Sequence, residues 1–313
     1  MTVAGQPITR LQIIRLCVSL GLLVALARWL EVGRIASRLA QMQPTWIGFS
    51  LALSVVQVAA SAWRWRFTAG QLGVELPLSI AVREYYLAMF LNQVVPGGVV
   101  GDVSRAWRHV RAQSALRSAS GPVVRAVILE RVSGQVVMVI VGMISVMLLP
   151  VCLGVTWWWG GLALGAVGSG FWFWVYDVSD TSLLGRFWRD ARLALFAGWA
   201  FPLQLASSTL VVATYLITYV MAARAIGIET SLSVLVPLVA PVLLTMLLPV
   251  TIAGWGVREG AAAVMWNVTG LTAVDGVAIS VAYGILVLLS TLPGGLVLAL
   301  GFIRRESWVV SRE

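Results

Sequence analysis

The chain contains no lysine, so all 22 of its basic residues are arginine. The planar arginine fork suits a phosphate held at two points, yet a lysine-free chain reflects a G+C-rich genome more readily than a need for phosphate ligands. Histidine is nearly missing as well. His109 stands alone, and Cys17 and Cys152 show no CxxC spacing, so neither a metal-ligand set nor a disulfide framework is indicated. No cofactor is expected. Nucleophile elbow, Walker loop and dinucleotide fingerprint are absent too, which leaves hydrolytic and ATP-driven chemistry without support. Above all the chain is short of charge, with 11% charged residues against 59% hydrophobic and a mean hydropathy of +0.91. Such a chain has lipid for a solvent, where long apolar runs become helices because no water is present to satisfy the backbone. The fold class expected is an all-α polytopic membrane protein forming one integral membrane domain over 1–313. Its net charge of +9 lies in short connections, where it orients the protein in the bilayer. Nucleic acid is not expected as a partner.

Hydrophobic runs fall at about 11–30, 45–62, 84–100, 122–149, 152–176, 194–222, 231–253 and 276–303. Arg10 and Arg15 before the first run mimic a signal peptide, but the continuing spans make an uncleaved helix the better reading. The third and seventh runs are each interrupted by a Pro/Gly cluster and resume in a short charge-bearing stretch. Arginines crowd the connections at 101–125, 186–192 and 304–312 and are sparse near Pro150, 224–229 and 270–275. The arginine-rich side should be cytoplasmic, in a bacterial inner membrane, with both termini cytoplasmic. These sides are consistent only if the third and seventh runs are re-entrant hairpins, leaving about six full transmembrane helices. Arg34 and Arg38 disagree, since this arrangement puts them outside.

The two interrupted runs share one pattern. Pro96, Gly97, Gly98, Gly101, Asp102 and Arg105 match Pro249, Gly254, Gly256, Arg258 and Glu259 in the order Pro, four residues, Gly, three residues, Arg. Each copy occupies the third of four runs in its own half, which predicts two pseudo-repeat halves, about 11–149 and 152–303, of inverted topology. Helices broken at Pro96, Gly97, Gly98, Gly101, Pro249, Gly254 and Gly256 would expose backbone N–H groups able to hold an anion.

Charges at membrane depth each cost roughly 2.5 to 3.5 kcal/mol, so the few present need a reason. Arg105, Arg131 and Arg258 are candidates to receive a lipid phosphate, with Asp102, Glu130 and Glu259 orienting them or carrying protons. The alternatives are mutual ion pairing that tethers the hairpins, or interfacial snorkelling. Trp63, Trp65 and Trp157 to Trp159 read as interfacial anchors, His109 as an interfacial residue, and the Gly pairs at Gly97 and Gly294 as helix breaks.

Asn92, Gln93, Pro96, Gly97, Gly98, Gly101, Asp102 and Arg105, then Glu130 and Arg131, then Pro249, Gly254, Gly256, Arg258 and Glu259 resemble the signature segments of the lysylphosphatidylglycerol synthase transmembrane-region family. The likeness covers nearly the whole chain and brings Asn92 and Gln93 among the candidate headgroup ligands. In the multiple peptide resistance factors this region resembles a flippase, and a soluble domain performs aminoacyl transfer. That domain is absent here, so the resemblance implies a lipid transporter or flippase-like protein, and not an enzyme, moving or presenting an anionic phospholipid or lipid-linked precursor. Two alternatives stay open: an accessory subunit of lipid, hopanoid or polysaccharide biosynthesis, and an intramembrane enzyme using Glu130 or Glu259. Expected partners are anionic membrane lipids, with a lipid-synthesis enzyme or a second copy of the chain left open.

Overall fold

The computed structural model describes residues 10–30, 32–95, 98–112, 120–153, 183–247, 251–269 and 271–310. Pro96, Gly97, Pro249, Trp157 to Trp159 and most of the fifth hydrophobic run lie outside the described residues.

Every regular element among those residues is helical. They are α1 (Arg10–Trp29), α2 (Val32–Ala40), α3 (Pro44–Gln71), α4 (Leu78–Val94), α5 (Val100–Ala112), α6 (Ser120–Leu153), α7 (Leu183–Ala191, continued by a π-helical turn Arg192–Phe196), α8 (Ala200–Ala225), α9 (Leu232–Leu244), α10 (Val257–Val268) and α11 (Ala273–Val310). Four are long and apolar enough to cross a membrane: α3, α6 over Ser120–Leu148, α8, and α11 over Ala273–Leu300. At 1.5 Å per residue, the 28 residues of α3 reach about 42 Å, past a hydrocarbon core of about 30 Å. A fifth span results if α1 and α2, which meet at 100°, count as one.

The two interrupted runs behave differently from these. After α4 the chain breaks around Gly98, at φ +64°, and returns as α5, which packs against α4. Its 13 residues span only about 20 Å, too short to cross. After α9 the break runs through Ala253, Gly254 and Gly256, all at positive φ (49°, 81° and 91°), before α10 turns back on α9. Ala253 is the one non-glycine in that region of φ among the described residues.

α3 and α8 pack antiparallel along their length. Rungs join Ser50 to Met221, Gln57 to Thr214, Arg64 to Ser208 and Thr68 to Gln204, and Gln43 N–H donates to the Ala225 carbonyl. Their shared face is rich in serine and alanine, which lets helices approach closely where lipid supplies no hydrophobic drive. Around this pair the hairpins cross over: α4 packs on α11 and α9 packs on α6. The outward faces carry Val55, Val56, Ile144, Leu210, Ile217 and Leu296, all exposed as a lipid-facing surface requires.

Two expectations need correction here. Gly294 does not break a helix, because α11 runs unbroken through Pro293, Gly294 and Gly295. A Cβ at Gly294 would sit 2.1 Å from the Tyr86 carbonyl oxygen, so the glycine is there to admit the backbone of α4. Trp65 is not an interfacial anchor either: it is 1% exposed, and His109, also buried, lies edge-on to it. Trp63 does face outward.

Candidate functional site

Consecutive residues on a helix point about 100° apart, and Glu130 and Arg131 on α6 use that divergence. Glu130 turns inward and is fully buried. Its Oε1 accepts from Arg64 Nη2 at 2.5 Å and Nε at 3.2 Å and from the Tyr85 hydroxyl at 3.3 Å, while its Oε2 accepts from Arg105 Nη2 at 2.7 Å. Arg131 turns toward the hairpin and pairs with Asp102. Asp102 lies in the first turn of α5, where the helix N-terminus favours a carboxylate, and it also meets Arg105 at 3.0 Å, one turn on.

Asn92 fastens the two hairpin arms to each other. Its Oδ1 accepts the Gly101 backbone N–H at 2.8 Å and its Nδ2 donates to Asp102 at 2.9 Å. Gly101 itself sits inside the first turn of α5, where a Cβ would fall 2.0 Å from the Ala88 carbonyl oxygen. Arg105 is wholly buried, with its guanidinium 4.6 Å from the Trp65 ring and 4.8 Å from the Tyr85 ring, a placement in which ring faces stand in for water. Its Nε and Nη1 have no hydrogen-bond partner.

The network therefore holds three arginines, Arg64, Arg105 and Arg131, against two carboxylates, Asp102 and Glu130. It opens on one side into a cavity of about 290 Å³ between the halves. Asn92, Gln93, Asp102 and Arg131 line it from the first hairpin and α6, and Thr251, Ala253 and Gly254 from the second break. The side chain of Arg131 is 33% exposed, against 0% for Arg105.

Arg258 and Glu259 lie elsewhere. Both are buried behind the wall, with Arg258 Nη2 2.6 Å from Glu259 Oε1 and its Nε 2.9 Å from the Ser280 hydroxyl. Glu259 Oε2 accepts the Gly256 N–H at 2.7 Å and so caps α10. Trp255 and Tyr283 flank the guanidinium at 5.1 and 5.2 Å. The structure thus brings Asn92, Gln93, Asp102, Glu130 and Arg131 to one cavity, sets Arg105 just behind it, and keeps Arg258 and Glu259 apart.

The transmembrane-region model of lysylphosphatidylglycerol synthase matches residues 12–294 of this chain. The chain belongs to that family. Among curated proteins none matches it. Membership agrees with the architecture, an integral membrane domain with a lipid-related role, and it covers both hairpins and both buried networks.

Sequence reasoning missed Arg64 and Tyr85. Arg64 stands between two tryptophans just past the point where the second run seemed to end, and so reads as a membrane flank. A signal was present, since Gln57, Ser61, Arg64 and Thr68 form a polar stripe at helical spacing. All four are buried against the neighbouring helices.

Proposed function

We propose that the cavity binds the phosphate of an anionic phospholipid or lipid-linked precursor, with Arg131 as its ligand, and that the protein moves or presents that lipid across the bilayer. The observation that carries this reading is the unbalanced charge: three arginines share two carboxylates, and the one arginine with exposure faces the cavity. Uncompensated positive charge in a low-dielectric site attracts an anion, and a guanidinium grips phosphate by two donors. A volume of about 290 Å³ takes a headgroup and leaves the acyl chains in lipid. Arg105 and Asp102 hold Arg131 and Glu130 in place without touching the ligand. Glu130 and Glu259 are both engaged by arginine, which favours a structural duty over acid or base catalysis. Transport without an enzymatic step is therefore the reading adopted.

Two inverted halves fit this role, with the broken segments entering from opposite faces and the headgroup site between them. The antiparallel α3 and α8, each preceding a hairpin, support inversion, as does the reciprocal crossing of α4 onto α11 and α9 onto α6. Arg83, Arg108, Arg111 and Arg125 gather at the base of the first hairpin, whereas by the second Arg38 is paired with Asp275 and Arg224 lies beside Glu229. By the positive-inside rule the first base is cytoplasmic, in a bacterial inner membrane with cytoplasmic termini and six spans.

The test is vesicle reconstitution of the full chain with a fluorescent phosphatidylglycerol, read by the fraction that a membrane-impermeant quencher reaches. Arg131→Ala should abolish protein-dependent movement while thermal unfolding in detergent shifts little. Unchanged movement in that variant would sink the assignment.

A further inference from the structure

Each acid near the cavity already has its cation. Glu130 receives Arg64, Arg105 and the Tyr85 hydroxyl; Asp102 receives Arg105, Arg131 and the Asn92 amide. Glu259 is closed off behind the wall by Arg258, Ser280 and the Gly256 N–H. Among the described residues lining the cavity, no carboxylate remains to receive an ammonium group. The polar lining left over is neutral. Thr251 is 3% exposed and its hydroxyl has no partner, and the amides of Gln57, Gln93 and Gln135 reach the same space.

We infer that the cavity sorts lipids by headgroup charge, accepting a phosphodiester whose remaining headgroup is neutral and hydroxylated and turning away headgroups that carry an ammonium. This rests on the reading of the cavity as a phosphate site. The network carries one net positive charge, so a phosphodiester of charge −1 brings the site to neutrality. A zwitterionic headgroup leaves the excess in place. An aminoacylated headgroup, itself net positive, adds to it where little water screens the repulsion. Hydroxyls both donate and accept, as amides and a threonine hydroxyl do, while an ammonium only donates. Thr251, which lines the cavity from the second break, receives the hydroxylated end of the headgroup.

The experiment is native mass spectrometry of the full chain equilibrated with equal amounts of phosphatidylglycerol, phosphatidylethanolamine, lysyl-phosphatidylglycerol and phosphatidic acid of identical acyl chains. Phosphatidylglycerol should be retained at least tenfold over lysyl-phosphatidylglycerol, with phosphatidylethanolamine between them. Thr251→Val should lower phosphatidylglycerol retention severalfold and leave phosphatidic acid, which has no glycerol headgroup, unchanged. Equal or stronger retention of lysyl-phosphatidylglycerol that still depends on Arg131 overturns the sorting by charge and spares the phosphate site. Retention of every lipid unaffected by Arg131→Ala overturns both. A Thr251→Val variant that keeps the wild-type ratio of phosphatidylglycerol to phosphatidic acid removes the hydroxyl contact from the proposal.

Discussion

The two hairpin-bearing halves solve the same problem with different arithmetic. In each, an arginine following the break is buried, paired with a glutamate and flanked by one tryptophan and one tyrosine: Arg105 with Glu130, Trp65 and Tyr85, and Arg258 with Glu259, Trp255 and Tyr283. In the second half the account closes at zero, one cation to one anion, with Ser280 and the Gly256 N–H completing the bonds. In the first half Arg64 and Arg131 are added against one further acid, Asp102, and the surplus faces a cavity. A sealed, neutral network fixes a hairpin in place. An open, unbalanced one fixes a hairpin and also leaves one positive charge in surplus beside a cavity.

The glutamates should separate the halves most sharply. Removing one partner of a buried ion pair costs about 3 to 5 kcal/mol, because the other charge stays behind unpaired. Glu130→Ala takes the acid from Arg64 and one of the two acids of Arg105, leaving three arginines against Asp102 alone, and should fall at or beyond the top of that range; Glu259→Ala strands Arg258 alone and should fall near the bottom. Thermal unfolding in detergent, followed by size-exclusion recovery, measures both. Equal losses in the two variants would mean that the extra arginines of the first half are not held by Glu130, and the contrast between the networks would collapse.

Much of this contrast was legible beforehand, and what was not has physical causes. The two breaks show in composition, because Pro/Gly clusters inside apolar runs are costly unless the chain turns there. Asp102, Arg105, Glu130 and Arg131 show because charge in a hydrocarbon needs a partner. Arg64 hid because a helix does not end where hydrophobicity falls: α3 continues to Gln71 and carries Trp65 into the protein interior. The closed state of Arg258 was equally invisible. Its motif matches that of Arg105, and only the neighbouring Ser280 and Tyr283, contributed by α11, decide that it faces no cavity. Gly294 was misread since a glycine that breaks a helix and one that admits a neighbour look alike in one dimension.

Glycines at the crossing contacts sharpen the comparison at lower energy. Gly294 on α11 meets the first hairpin and Gly142 on α6 meets the second. A Cβ at Gly294 would lie 2.1 Å from the Tyr86 carbonyl oxygen, and one at Gly142 would lie 2.1 Å from Leu244 Cδ1. Backbone cannot move aside as a leucine rotamer can. Gly294→Ala should therefore cost about 1 to 3 kcal/mol by overpacking, whereas in Gly142→Ala the rotamer adjustment is offset by a gain of about 1 kcal/mol in helix propensity. The melting temperatures of the two variants should straddle that of the parent or nearly so. A large loss in Gly142→Ala would show that the second hairpin is held as rigidly as the first.

The smallest effect belongs to the strap joining the halves at one face. Arg38 on α2 pairs with Asp275 in the first turn of α11 at 2.9 Å, with side chains 34% and 25% exposed. A pair with that access to solvent is worth about 0 to 1 kcal/mol, and a double-mutant cycle of Arg38→Ala with Asp275→Ala should return a coupling within that window. The pair also accounts for Arg38, one of the two arginines of the 34–38 segment, which the distribution of arginines alone would put on the opposite face from the other basic connections. Arg38 is there because Asp275 is, and an arginine matched by an acid has little weight in orienting a chain beside the basic connections at 101–125, 186–192 and 304–312. A coupling well above 1 kcal/mol would require the pair to be shielded from water.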